Sequence, residues 1–404
     1  MGMVRRASVT GPLALFAEGY RMELEKLGYT PSSREFKVYE MARLSRWLER
    51  DGLVAADAGS RVEAFLADWK AGGKRAPTLK ALKPLLDWLA AQNVIEAHRP
   101  APAPRRPVDD LMDDYCQWMV ADRALAATTV VRYEATARRF LDGRAGGEGD
   151  ATGTEGLGGQ AVTRFLLAEA SRGLAPGSLQ GCVAELRSLL RFLHVKGLTP
   201  SALAESVPPV PGWKDASVPR RLAAAQVKAL VDSCDRTTPT GMRDFAMLVV
   251  LARLGLRAAE VAGLELDALD WRAGELVVRG KARREDRLPL PADVGEALSA
   301  YLVEARPRVD SRAVFLTVAA PPRPMWSTAV SQMVWRQCIR AGLPPVRAHR
   351  LRHALATELL DRGVALPEIA QVLRHRDLAT TAVYAKVDHS ALRELALPWP
   401  AVAR

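Results

Sequence analysis

Two proline-rich segments constrain this chain more than any other feature. AHRPAPAPRRP, residues 97–107, and SVPPVPGWKDASVP, residues 206–219, cannot continue a helix or a sheet interior, because each proline lacks a backbone N–H and fixes φ. They divide the 404 residues into three stretches, each long enough for a core of its own, which predicts domains over 1–96, 108–205 and 217–404. A glycine-rich run, GRAGGEGDATGTEGLGG at 143–159, reads as a flexible surface loop inside the middle stretch.

The N-terminal and middle stretches are written alike. The N-terminal stretch reads SSREFKVYEMARLSRWLERDGL, RVEAFLADW and PTLKALKPLLDWLAAQNVI; the middle stretch reads TTVVRYEATARRFLDG, AVTRFLLAEA and APGSLQGCVAELRSLLRFLHVKGL. Each opens with a helix carrying a tyrosine (Tyr39, Tyr133) and an aromatic–leucine pair (Trp47–Leu48, Phe140–Leu141). A short helix ending at Phe65–Leu66 or Phe165–Leu166 follows, then a helix with an LLxxL pattern at Leu85, Leu86 and Leu89 or Leu189, Leu190 and Leu193. The spacing is helical throughout, which predicts two small all-α bundles in tandem.

Charge narrows the partners. The chain holds 57 Lys+Arg against 46 Asp+Glu, a net +11, which favours polyanions. Residues 217–404 carry most of the surplus, 28 basic against 20 acidic, whereas 1–100 hold 16 against 12 and 101–216 hold 13 against 14. The acidic DDLMDD at 109–114 is then a solvated helix start. Cys116, Cys182, Cys234 and Cys338 stand too far apart for a metal-ligand pattern and argue against a disulfide framework. Phe245–Ala252 is too short an apolar run to span a bilayer. The expectation is a soluble intracellular protein of the cytoplasm.

The C-terminal stretch concentrates the chemistry. GMRDFAMLVVLARLGLRAAEVAGLEL predicts a buried apolar helix, a turn, and a helix starting near Arg257. GELVVRGKARREDRLPL predicts a hairpin pairing Glu275–Arg279 with Arg287–Leu290, with Lys281 where the turn begins. In AHRLRHALATELLDRGVALPEIAQVLRHRDLATTAVYAK, residues 348–386, His349 and Arg352 fall on one helical face. Pro367 opens the next helix at a favoured first-turn position, His375 follows it, and Asp377 or Thr380 would cap a last helix carrying Tyr384. A cationic pocket with one phenol suits phosphate chemistry: arginine's fork fits two oxygens at once, and a deprotonated tyrosine attacks phosphorus and later leaves. Taken singly, each of these residues also has an ordinary reading, as a helix-end arginine, a solvated turn, a capping histidine or a core phenol.

Together, GLRAAEVAGLELDALDW, GKARREDRLPL, AHRLRHALATELL and VLRHRDLATTAVYAKV resemble the catalytic domain of the tyrosine recombinase, or phage integrase, family, in the right order and with the right internal spacings. The likeness covers about residues 218–390, and the middle stretch is similar to the family's helical core-binding domain. The resemblance implies a mainly α fold with a small antiparallel β-sheet in a mixed α/β catalytic domain, preceded by two SAM-like helical domains. It implies Arg257 and Arg352 as the pair clamping the scissile phosphate, Lys281 as the proton donor to the leaving 5′ oxygen, and His349 and His375 as proton-transfer and orienting groups. Glu260 would support their side chains, and Tyr384 would be the nucleophile. Arg374 stands where relatives often carry glycine. Arg283, Arg284, Arg287, Arg350 and Arg374 are candidates for DNA contact. No cofactor and no metal is implied, and no small-molecule substrate or membrane. The implied partners are double-stranded DNA and further copies of the chain, as a tetramer on two DNA sites, with partner recombinases a possibility. A type IB topoisomerase-like relaxing enzyme and a non-catalytic DNA-binding accessory subunit are the alternatives.

Overall fold

The computed structural model of the chain describes residues 6–72, 77–96, 105–144, 152–174, 176–199, 202–210, 222–280 and 285–374. By contact the chain falls into two compact units, one formed by Met1–His98 with Ser217–Arg404 and the other by Arg99–Ala216.

Four helices build the N-terminal bundle: α1 (Ala17–Lys26), α2 (Pro31–Arg50), α3 (Ala58–Ala71) and α4 (Leu79–Ala91). Thr30 caps α2 by accepting the Ser33 N–H at 3.3 Å, with Pro31 at the first helical position, and Thr78 caps α4 through the Ala81 N–H at 3.2 Å. Leu82, Leu85, Leu86 and Leu89 of α4 are buried at helical spacing against Tyr20, Leu24, Met41, Leu44, Leu48 and Phe65. Each such leucine contributes about 1.5–3 kcal/mol of burial. The turn after α1 lies beside the C-terminal portion of the same unit, where a Cβ on Gly28 would stand 3.9 Å from Pro322 Cδ.

The second unit repeats the all-helical plan with α5 (Pro107–Ala121), α6 (Ala127–Asp142), α7 (Gly159–Ser171) and α8 (Pro176–Val195). Phe140, Leu141, Leu189, Leu190 and Leu193 are buried in its core, where Tyr115 and Phe192 rings meet at 5.1 Å. The helices expected to end at Phe65–Leu66 and Phe165–Leu166 run on to Ala71 and Ser171. Each extra turn has a reason: Asp68 accepts from Trp47 Nε1 at 2.9 Å and Trp69 packs on Phe65, while the buried Glu169 pairs with Arg139 and Arg172.

The C-terminal portion is organised on α10 (Pro239–Leu254), which follows α9 (Ala224–Asp232). Ala246 through Leu251 are consecutively buried, so this part of α10 is apolar on every side and sits inside the core. The chain leaves α10 at Gly255, whose φ of +59° is left-handed, and enters the short α11 (Ala258–Ala262). A three-stranded antiparallel sheet follows, β1 (Leu269–Asp270), β2 (Glu275–Arg279) and β3 (Glu285–Pro289), in that order. The hairpin was expected to return at Arg287–Leu290. Its return strand instead begins at Glu285, because Arg279 pairs with Glu285 next to the turn and the Leu290 N–H closes on the Gly274 carbonyl at 2.7 Å. The two-residue β1 is too short to show a period in sequence.

Helices α12 (Ala292–Ala300), α13 (Ser327–Arg340), α14 (His349–Asp361) and α15 (Leu366–Val372) are the remaining α-helices among the described residues of the unit. Beneath them Arg243 donates to Asp244 at 2.7 Å and to the Leu316 carbonyl at 3.2 Å, and Gln337 donates to Asp244 at 2.9 Å, a buried polar knot tying α10 to α13. Among the described residues no helix is long and apolar enough to cross a membrane.

Candidate active site

Arg257 is the N-cap of α11, and Glu260 lies one turn on. That spacing lets the carboxylate fold back: Glu260 Oε2 accepts the Arg257 backbone N–H at 2.8 Å while Oε1 accepts Arg257 Nη1 at 2.7 Å. Glu260 is buried, whereas the Arg257 side chain keeps 46% of its surface. A second arginine reaches the same carboxylate from far along the chain. Arg374 Nη2 donates to Glu260 Oε2 at 2.7 Å, and its side chain is only 6% exposed. Burial alone would raise the Glu260 carboxyl, but the Arg257 N–H bond, the Arg374 charge and the Arg257 guanidinium together hold it below the ordinary carboxylate value.

Arg352 lies on α14 and is 1% exposed. Its Nη1 donates to the Gly255 carbonyl at 2.6 Å and its Nη2 to the Leu373 carbonyl. Those carbonyls end α10 and α15, where orphan acceptors need partners, so the side chain joins two helix termini to α14. Gly255 makes room: a Cβ there would meet Leu355 Cδ2 and Leu373 Cδ2 at 2.9 Å each.

His349 is the first residue of α14, on the same helix as Arg352, with its N-cap at Ala348. Solvent reaches the residue, yet partial enclosure, then the charges of Arg352, Arg257 and Arg350, hold its imidazole below the ordinary value. The neutral ring that results can take a proton from a phenol or hydroxyl. His353, which sequence reasoning passed over, sets its ring edge-on to His349 at 4.3 Å. The four-residue spacing to His349 was the available signal.

The structure thus brings together Arg257, Glu260, His349, Arg352 and Arg374. Pro367 falls within the first turn of α15, as expected. Lys281, Arg283, Arg284, His375 and Tyr384 lie outside the described residues, as do Asp377 and Thr380. Arg350 is half-buried at the start of α14. Arg287 on β3 is exposed and pairs with Glu275 at 3.1 Å. Arg374 turns inward rather than outward to solvent, and its backbone φ of +55° is a left-handed conformation that favours glycine. Among the described residues no group of three or more His, Cys, Asp and Glu side chains could hold a metal ion.

The arrangement offers fixed cations and a neutral imidazole around one small region, which suits charge developing on a phosphodiester. The pattern of the phage integrase family matches residues 220–391. A chain of Sinorhizobium fredii named as an integrase/recombinase is 39% identical over 398 residues, covering 98% of this chain and 96% of its own. Tyrosine recombinase XerD of Listeria innocua is 28% identical over 71% of this chain and 97% of its own. Among solved structures, a lambda integrase tetramer bound to a Holliday junction shares the fold with a TM-score of 0.52 at 16% identity, covering 78% of this chain and 86% of that one.

Proposed function

This chain belongs to the phage integrase family of tyrosine recombinases, and on that premise we propose that it cuts and rejoins DNA strands through a covalent 3′-phosphotyrosine intermediate. It is a site-specific recombinase, and the finer reading concerns which side chains do the work. The observation that carries it is the convergence of Arg257, Glu260 and Arg374, the last 114 residues from the carboxylate it holds, beside His349 and Arg352.

In this reading the Tyr384 phenolate oxygen attacks the scissile phosphorus. A Tyr–O–P bond forms, the P–O5′ bond breaks, and the leaving 5′ oxygen takes a proton from Lys281. Arg257, exposed yet held through its backbone N–H and Nη1 by Glu260, meets one non-bridging oxygen. Arg352 acts from its anchored pose between α10 and α15, and His349 with His375 moves protons and orients the phosphate. Attack by a 5′-hydroxyl on the phosphotyrosine reverses the step, so the bond energy is kept within the adduct.

DNA is the partner, and we assign a tetramer acting on two DNA sites; the lambda integrase tetramer on its Holliday junction supports oligomerisation. We also assign 108–205 to core binding and 217–404 to catalysis, with 1–96 as an additional DNA- or protein-binding bundle.

The test is a nicked suicide duplex carrying the terminal sequences of the host mobile element, resolved under denaturing conditions for a protein–DNA adduct. A 3′-linked adduct is expected. Tight binding with no adduct overturns catalysis and leaves an accessory DNA-binding subunit. Relaxation of unrelated supercoiled plasmid by the monomer would favour the topoisomerase-like reading.

A further inference from the structure

Resting on the recombinase reading, we propose that Arg374 is a positioning residue for strand cleavage: by sharing the Glu260 carboxylate with Arg257, it fixes where the Arg257 guanidinium stands. Three observations carry this. Glu260 accepts from Arg257 Nη1 on Oε1 and from both the Arg257 backbone and Arg374 Nη2 on Oε2, all within 2.8 Å. One buried carboxylate therefore serves two guanidinium groups, and each limits where the other can sit.

Arg374 also occupies a backbone conformation that disfavours it. Its φ is +55°, a left-handed well where a side chain is strained and glycine is not. Its Nε and Nη1 are buried with no hydrogen-bond partner among the described residues, a second cost. An arginine held against both costs has one visible return, its bond to Glu260, and strain of this kind collects at functional sites.

The third observation is its place in the chain. The carbonyl of the preceding residue, Leu373, accepts from Arg352, and the Arg374 N–H closes the end of α15 on the Gln371 carbonyl at 2.9 Å. Arg374 thus joins the Glu260–Arg257 pair to the segment that Arg352 anchors. Because the side chain is 6% exposed and turned inward, it acts through Glu260 and not as a surface phosphate contact.

Arg374→Gly separates the roles, since glycine relieves the backbone while removing the guanidinium. On the suicide duplex, we expect the cleavage rate of the bound complex to fall roughly tenfold to a hundredfold with DNA affinity nearly unchanged. Arg374→Lys, which keeps a donor for Glu260, should restore some of the rate. Wild-type cleavage by Arg374→Gly would overturn the proposal. So would weaker binding with a reduced salt slope and an unchanged rate, the signature of a phosphate contact. A DNA-free double-mutant cycle of Arg374→Gly and Glu260→Gln, read by denaturant unfolding, tests the pair independently of the recombinase reading. Non-additive effects are expected, and additive ones would overturn the shared carboxylate. If the wild-type protein forms no adduct, the recombinase reading fails and the positioning role fails with it.

Discussion

Arg352 Nη1 donates to the Gly255 carbonyl at 2.6 Å although the two residues stand 97 apart in the chain. The same guanidinium donates to the Leu373 carbonyl, so a single buried side chain sets the distance between the end of α10, which leads into Arg257, and the end of α15, which leads into Arg374. Arg352 is thus held by backbone carbonyls, whereas Arg257 and Arg374 are held by the Glu260 carboxylate.

Gly255→Ala should destabilise the protein. The left-handed φ of +59° costs an alanine about 1–2 kcal/mol, and the new Cβ meets Leu355 and Leu373 at 2.9 Å, contacts that flexible side-chain ends can relieve. Denaturant unfolding should show a lower midpoint at an unchanged slope. No loss of stability would mean that the turn relaxes without affecting Arg352.

Glu260→Gln should flatten the acid limb of the stability curve. The folded carboxyl is depressed, so its stabilisation is complete above the ordinary value of 4.5 and is lost as pH falls through the lower folded value. The variant should lose about 1–3 kcal/mol at neutral pH by weakening the two arginine contacts and should differ less from wild type at low pH. A constant difference across the acid range would contradict the assigned ionisation.

His349 should titrate below 6.5 in the DNA-free protein. Its folded value is depressed, so between the folded and unfolded values the unfolded chain binds more protons, and this contribution to stability is lost as pH falls from 6.5. Ring-proton NMR against pH checks it, with His349→Gln assigning the resonance. A midpoint above 6.5 would show that neither the partial enclosure nor the surrounding arginines govern the ring.

Tyr384→Phe should abolish the covalent adduct while DNA binding stays nearly unchanged, because in the proposed reaction the phenol oxygen is the attacking atom and contributes little to phosphate affinity. Gel analysis of adduct alongside a binding isotherm separates the two. Loss of binding would place Tyr384 among the structural contacts.

The N-terminal bundle presents Arg6 and Arg46 beside Phe36 and Tyr39 along one open groove. If this bundle touches DNA, reversing both charges with Arg6→Glu and Arg46→Glu should lower the salt slope of binding by roughly 2 and shorten the footprint. An unchanged slope and footprint would rule out this groove as a DNA contact.

The sequence by itself determined the class of fold, the helical periods and the family. Periodicity is a local property: Leu82, Leu85, Leu86 and Leu89 declare a buried face because neighbours three and four apart share a side of the helix, and Arg257 with Glu260 forms its capping contact within one turn. His349 could be placed with Arg352 on α14 for the same reason. Tertiary packing decided the rest. It turned Arg352 inward onto Gly255 and Leu373 and brought Arg374 onto the Glu260 carboxylate across 114 residues. Spacing reports which residues share a helical face, but which carbonyl or carboxylate stands opposite is settled only when separate helices pack around α10 and bury those groups together.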